Sequence, residues 1–364
     1  MVVPPILCIV GGRHSGKTHL LERVIGRLSA AGLRVGAVKH CGHIDAGAAG
    51  RDSDRLAGAG ARPAIAAAED GVEILRAAGD PALLDMVAIH CRGCDLVLAE
   101  GYGRSVHDKV LLRYGEGRPP PAEPESVRLV LADEGAAGIG RDDTEAVADW
   151  ILNWRRRRMA LREGLTAAVL TGGGSRRMGT DKAALKIAGK SILARMCELL
   201  ADRVGEVTVI GRRPACDDAP ACAAWQADIR PGLGPLGGIA TALRLGAGDG
   251  PPRGVCVAAC DMPAIDGVLL DHLLAGRSVG APATAPVHPA TGRLEPMPAI
   301  YEPGARESIE HALDRGELSV TAWLTAAGAH RLAVPEKLAD RLANVNTPDE
   351  LDALRRRMEG GNGA

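Results

Sequence analysis

Phenylalanine is absent from this 364-residue chain, and aromatic residues make up only 2% of it. Too few rings remain for stacking successive bases, which excludes single-stranded nucleic acid as a partner. Charge of one sign is missing as well: the formal net charge is −1, and basic and acidic residues balance in each half. Neither a basic footprint for duplex nucleic acid nor an acidic tail follows. No run reaches the roughly 18 apolar residues of a membrane span. The opening Met-Val-Val-Pro-Pro has no basic segment ahead of its short apolar run and does not read as a targeting signal. The nine cysteines are odd in number and scattered. Cys8 and Cys256 sit within apolar runs, where a thiol behaves as a small hydrophobe. A soluble cytoplasmic protein with reduced thiols is expected.

What the chain does have is two glycine-rich loops of different kinds. Gly11-Gly12-Arg13-His14-Ser15-Gly16-Lys17-Thr18 is a full GxxxxGK[ST] pattern. Leu170-Thr171-Gly172-Gly173-Gly174-Ser175-Arg176-Arg177-Met178-Gly179-Thr180-Asp181-Lys182 is glycine-rich without that pattern. Each follows an apolar run and precedes helical periodicity, the context in which such loops cradle phosphates. The length suits about two domains, each large enough for its own core.

Unalternating apolar residues at 6–10 predict a strand buried on both faces. Further strands are expected at 33–38, 63–67, 95–99, 109–112 and 128–132, with helices near 51–59 and 81–89 and a long one over 142–162. The pattern restarts with a strand at 165–170, a helix through Ile192 and Leu200, strands at 206–210 and 254–259, and a helix from about Gly238 to Leu245. This alternation is α/β: an N-terminal P-loop NTPase-like domain over 1–158, a linker at 159–164, and a second α/β domain over 165–364. The polar boundary suggests separable halves, and Arg155–Arg158 reads as a solvated helix face. The proline-rich stretch 281–298 has turn chemistry and is expected to pass over the sheet. Thr347, Pro348 and Glu350 form a capping signature for a last helix.

In the first loop, Gly11, Ser15 and Gly16 let backbone amides converge on phosphate, Lys17 adds charge, and the Thr18 hydroxyl suits Mg²⁺. Glu100, ending the apolar strand after Asp95, stands where a second metal-side carboxylate is needed. His90-Cys91-Arg92-Gly93-Cys94 has a metal-like spacing, but a closed zinc site needs four ligands. Nothing in the sequence brings Cys41 or His43 near, so free thiols are expected. In the second loop Leu170, Thr171, Gly172 and Gly173 wrap nucleotide, while Arg177 and Lys182 supply cations at fixed offsets.

The first loop, Lys39-His40, Gly50-Arg51-Asp52-Ser53-Asp54-Arg55-Leu56, Glu100-Gly101-Tyr102 and the strand opening at Lys109 together resemble MobB, a GTP-binding adaptor of molybdopterin guanine dinucleotide biosynthesis. That likeness covers nearly all of residues 1–155, with His14 where the family usually has Gly or Ala. The second loop resembles the MobA guanylyltransferases, which implies a Rossmann-like nucleotidyltransferase domain over 165–364. Asp228 matches the family carboxylate ahead of Gly234-Pro-Leu-Gly-Gly238, and Asp261 matches its metal-binding aspartate. Leu294–Tyr301 is similar to its acceptor-side strand and Asn344–Leu351 to its closing signature. Ile210-Gly211 departs from members that place a nucleotide-contacting Asn there.

The resemblance implies a nucleotidyltransferase that joins GMP from GTP to molybdenum–molybdopterin and releases pyrophosphate. Lys182, Asp261 and Arg177 would be catalytic, with Asp228 also on the nucleotide. Mg²⁺ would sit on Asp261 and Asp228 in one half and on Thr18 and Glu100 in the other. Asn344 and Asn346 would face the molybdopterin acceptor. Molybdopterin-handling proteins and apo-molybdoenzymes are the implied partners. A related cytidylyltransferase and a GTP-dependent cofactor carrier without chemistry remain as alternatives.

Overall fold

A computed structural model describes residues 3–12, 15–40, 64–68, 71–75, 83–113, 126–131, 138–172, 182–214, 216, 218, 223–247, 250–345 and 347–360. The helix expected at 51–59 lies outside them. The N-terminal elements are β1 (Ile6–Gly11), α1 (Lys17–Ala30), β2 (Val35–Lys39), the hairpin β3 (Ala64–Ala68) and β4 (Gly71–Leu75), α2 (Leu83–His90), β5 (Leu96–Glu100), β6 (Asp108–Leu112) and β7 (Val127–Leu131). Five strands form a wholly parallel sheet in the order β2-β5-β1-β6-β7. Continuous apolar runs make this possible: β1 and β5 are buried along their length except at the final residue. Leu20, Leu21, Val24 and Leu28 form the stripe that packs α1 onto the sheet.

Helix α3 (Thr144–Arg162) leads into the second half, its start capped by Asp143, whose carboxylate accepts the Ala146 N–H at 3.0 Å. There follow β8 (Leu165–Thr171), a small antiparallel pair β9 (Lys186–Ile187) and β10 (Lys190–Ser191), α4 (Ile192–Val204), β11 (Val207–Gly211), β12 (Ala223–Gln226), α5 (Gly234–Gly246), β13 (Gly254–Ala259) and α6 (Gly267–Ala275). The chain continues through β14 (Ala283–Val287), β15 (Ala299–Tyr301), α7 (Ala305–Asp314), α8 (Val320–Ala326), β16 (His330–Ala333) and α9 (Pro348–Gly360). The seven-stranded sheet has the order β12-β11-β8-β13-β15-β14-β16, with only β15 antiparallel to its neighbours.

The stretch 281–298 does not simply cross the sheet; its first part is β14, an interior strand. Pro286 is tolerated there because β15 pairs only as far as Thr284, and the Pro286 carbonyl takes the Glu295 N–H at 2.8 Å. The capping box at the last helix forms in both directions. The Thr347 N–H reaches Glu350 Oε2 at 3.0 Å, and the Glu350 N–H reaches Thr347 Oγ1 at 3.3 Å.

The boundary between the halves is not a solvated tether. Residues 159–162 complete α3, so only Glu163 and Gly164 separate it from β8. Arg156 and Arg157 are exposed, but Arg158 and Arg162 are 4% and 6% exposed. Helical spacing explains the difference, since Trp154, Arg158 and Arg162 fall on one face. That face meets a cluster of carboxylates from both halves. Arg158 donates to Asp108 Oδ2 at 2.8 Å, to Asp271 Oδ1 at 2.7 Å and to Asp202 Oδ2 at 3.3 Å. Trp154 Nε1 donates to Asp108 at 2.8 Å, and His107 Nδ1 lies 2.7 Å from Asp202. Arg203 pairs with Asp202, Asp108 and Asp271, and Arg128 with Asp108 and Asp271. Arg162 donates to the carbonyls of Val3 and Asp202, and the Val3 N–H to Gly205 O at 2.9 Å.

Burial alone would raise the Asp202 carboxyl, but Arg203, His107 and Arg158 together hold it far below the usual range. Asp108 is likewise lowered, burial being outweighed by Arg158, Arg203 and Arg128. Both carboxylates therefore lend stability above the ordinary unfolded value of about 3.9. That contribution is lost only as pH falls through their depressed folded values. The interface is expected to hold at pH 5. Arg158→Ala strands buried carboxylates and should cost about 3–5 kcal/mol. Arg156→Ala on the exposed face should stay within about 0.5 kcal/mol. Urea unfolding followed by tryptophan fluorescence measures both, and equal midpoints would show that the cluster contributes nothing.

Candidate nucleotide sites

Three strand ends build the first site at the carboxyl edge of the parallel sheet, where α/β folds place ligands. The register sets Ile9 and Lys39 on either side of Glu100, with the P-loop following Gly11. Gly11 has no room for a side chain: a β-carbon there would meet Ser15 Oγ at 2.7 Å and Leu112 O at 2.9 Å. Gly16 turns the chain into α1 at φ 83°, a left-handed conformation that costs glycine little. Among the described residues no side chain caps α1, and no acidic residue occupies its first turn, which leaves its first amides without a side-chain acceptor from within the helix.

Lys17 Nζ donates to the carbonyls of Gly12 at 2.5 Å and Gly11 at 3.2 Å, and to Ser15 Oγ at 3.3 Å. Burial lowers its pKa, with Glu100 opposing and Lys39 adding to the effect. Thr18 Oγ1 donates to Glu100 Oε2 at 2.7 Å, so the expected hydroxyl and carboxylate do converge. Lys39 Nζ joins them, 3.2 Å from Thr18 Oγ1 and 3.4 Å from Glu100 Oε2. Its part was legible only as a Lys-His pair closing a strand, because strand order is what puts it beside Glu100. Arg13 and His14 lie outside the described residues.

The second site also stands on strand ends. β8 closes with Thr171, whose hydroxyl donates to Arg212 O at 2.8 Å and Ile210 O at 3.1 Å, and Gly172 follows at φ 141°. Gly173 and Arg177 lie outside the described residues. Gly211 explains the departure noted at the neighbouring strand end. At φ 112° its β-carbon would fall 1.9 Å from Thr171 O of the paired strand β8, which leaves no space for any side chain. A β-carbon on Gly238 would touch Leu170 Cδ2 at 3.0 Å, which places the start of α5 directly against the end of β8. The end of β8 and the Gly234–Gly238 segment are thus neighbours.

Asp261 follows β13 and is half-buried. Its carbonyl accepts the Val345 N–H at 2.7 Å, and the Val345 carbonyl accepts from Lys182 Nζ at 2.9 Å. The closing signature therefore stitches the two catalytic candidates together. Asn344, on that segment, is exposed; Asn346 lies outside the described residues. Asp228 belongs to a different set: its Oδ1 accepts from Thr241 Oγ1 at 2.8 Å and from the Arg230 N–H at 3.0 Å. Among the described residues no hydrogen bond joins Asp228 to Asp261. The buried Thr241 escaped the sequence reading because it sits in an otherwise apolar helical stripe.

A cavity of about 550 Å³ opens beside Leu294, Glu295, Thr321 and Arg331, in the region similar to the acceptor-side strand. Among the described residues, none of the other candidates lines it. Cys91 and Cys94 both approach Gly36, 3.1 and 3.2 Å from the place of its missing β-carbon, and both are free thiols. Burial, then Cys94, pushes the Cys91 thiol up. Among the described residues no three His, Cys, Asp or Glu side chains gather as a metal cage, and no helix is long and apolar enough to cross a membrane.

Residues 6–133 match the family described as molybdopterin guanine dinucleotide synthesis protein B, and residues 167–331 match the MobA-like NTP transferase domain. A probable molybdenum cofactor guanylyltransferase of Opitutus terrae is 36% identical over 53% of this chain and 96% of its own length. A molybdopterin-guanine dinucleotide biosynthesis adapter protein of Haemophilus influenzae is 34% identical over 41% of the chain and 89% of its own. Among solved structures, molybdopterin-guanine dinucleotide biosynthesis protein A from Archaeoglobus fulgidus is similar at 26% identity and a TM-score of 0.43, covering 54% of this chain and 99% of that one. The chain belongs to both families, an adaptor of the MobB kind and a molybdenum cofactor guanylyltransferase of the MobA kind on one polypeptide.

Proposed function

We propose that the chain transfers GMP from GTP to the terminal phosphate of molybdenum–molybdopterin, and that its N-terminal half binds GTP as an adaptor. The observation that supports this is the Lys182–Val345–Asp261 connection, in which one peptide of the closing segment bonds both the Lys182 ammonium and the Asp261 main chain. An acceptor phosphate oxygen attacks the α-phosphorus as the bond to pyrophosphate breaks. Both reactants are anions, so fixed positive charge matters more than an acid or base. Lys182 would offset charge growing on the α-phosphoryl oxygens, and Arg177 would hold the outgoing phosphates. Leu170–Gly173 and Gly234–Gly238 would read the base with backbone groups, and Asn344 and Asn346 would face the acceptor.

Carboxylate and hydroxyl oxygens suit a hard cation, and the convergence of Thr18 on Glu100 provides such a pair. Mg²⁺ would be held there in the adaptor, and by Asp261 with Asp228 in the transferase; bound, it neutralises phosphate charge. Molybdopterin-handling proteins and apo-molybdoenzymes are the proposed protein partners, in the cytoplasm.

Asp261→Ala is expected to lower turnover by about 10²–10³ or more while leaving the unfolding midpoint nearly unchanged. Most activity surviving at saturating Mg²⁺ would remove Asp261 from the metal site. Lys17→Ala should abolish tight GTP binding by the adaptor, read by nucleotide titration, and leave transfer to soluble acceptor intact. Loss of transfer in that variant would show that the two sites do not act independently. GTP should be preferred over CTP and ATP by at least about a hundredfold in kcat/KM, because a mismatched base leaves buried polar atoms unpaired. Pyrophosphate release with each nucleotide and molybdopterin acceptor measures this, and equal use of CTP would make the chain a cytidylyltransferase. Tight GTP and cofactor binding with no pyrophosphate at all would leave the carrier reading.

A further inference from the structure

The nucleotide reading leaves one ammonium at the mouth of the P-loop without a task. Lys39 sits opposite Glu100 in the β2–β5 register, so the sheet itself fixes its place. Its Nζ lies 3.2 Å from the Thr18 hydroxyl and 3.4 Å from Glu100 Oε2, while Thr18 donates to that same oxygen at 2.7 Å. The ammonium thus covers the two oxygens that the adaptor would offer to Mg²⁺. A small divalent cation requires oxygen contacts of about 2.0–2.1 Å and near-ideal geometry. A positive charge already held against both ligands opposes its approach. The side chain of Lys39 is 54% exposed and that of Glu100 is 12% exposed. Lysine can therefore swing into solvent, whereas the carboxylate stays.

We propose that Lys39 is the resident cation of the nucleotide-free adaptor site. It neutralises Glu100 until nucleotide arrives, whose phosphates give the ammonium a new partner and release both oxygens to the metal. Metal entry is thereby tied to nucleotide binding. The proposal rests on reading Thr18 and Glu100 as metal ligands, and the experiment separates the two.

Mn²⁺ binding to the full-length chain is followed by the electron paramagnetic resonance signal of free Mn²⁺. Asp261→Ala is present throughout, to silence the transferase's own ligand. Without nucleotide, Lys39→Met should tighten Mn²⁺ binding by about tenfold, the effect of removing one nearby charge. Lys39→Arg should leave it weak, and adding Glu100→Gln to Lys39→Met should abolish the gain. With a non-hydrolysable GTP analogue, Lys39→Met and its parent should bind Mn²⁺ alike. Unchanged affinity without nucleotide, or a gain that survives Glu100→Gln, overturns the proposal. So does a loss confined to the nucleotide-loaded protein, which would make Lys39 a phosphate contact only. If the metal reading itself is wrong, Glu100→Gln in the Lys39 parent will leave nucleotide-loaded Mn²⁺ binding unchanged.

Discussion

The packing of this protein depends on one group of charges taken out of water together. Asp108 begins a strand of the first sheet, Asp202 and Arg203 end a helix of the second half, Asp271 lies on another helix there, and α3 brings Arg158 between them. Each ion alone would meet a desolvation penalty of several kcal/mol. Together they are held by guanidinium groups that each bridge two or three carboxylates, and by the Trp154 N–H and His107. Such a cluster tolerates little misalignment, because a displaced partner leaves a buried charge unmatched. Apolar packing runs past it: the cluster that includes Val3, Ile6 and Cys8 continues to Leu200 and Val204 of the second half. Two cores with separate first strands are thereby joined along a shared wall.

Glycine at the ends of paired parallel strands acts as a comparable constraint at the sites. Gly11 lies under Ser15 and against the end of β6, and Gly211 against the carbonyl of Thr171. In both places the absent β-carbon lets the phosphate loop start where a neighbouring strand ends. Main-chain groups can then do the recognition. The same closeness lets Leu170 rest on Gly238, so the end of β8 and the first turn of α5 form one surface.

Much of this was legible in the sequence because the signals are local. Apolar runs ending in glycine gave the strands and loops, and Thr347 with Glu350 gave a helix start that forms as written. The misreadings needed information about partners. Arg155–Arg158 looks like a solvated face, yet Arg158 is buried because Asp108, Asp202 and Asp271 arrive from distant parts of the chain. β14 was hidden by its proline, which a sheet accepts once the neighbouring strand has stopped pairing. Lys39 and Thr241 gained meaning only through strand register and a helix turn that bring each beside a carboxylate.

The placement of the interface bears on how the two halves share work. Its contacts from the first half come from Val3 ahead of β1, from the starts of β6 and β7, and from α3. From the second half they include the turn between α4 and β11. These are the amino ends of parallel strands, whereas both phosphate loops follow carboxyl ends. β1 and β8 have six and seven residues and span roughly 20 and 23 Å, so each loop starts about that far from the amino end of its own strand. The charge cluster therefore makes the halves depend on each other for stability without placing one nucleotide in reach of the other. Lys182 and the Asp261 main chain meet at Val345 of the second half, whereas Lys17 bonds Gly11, Gly12 and Ser15 of the first. What the fusion supplies is a constant spacing between an adaptor and an enzyme whose sites face away from their common wall.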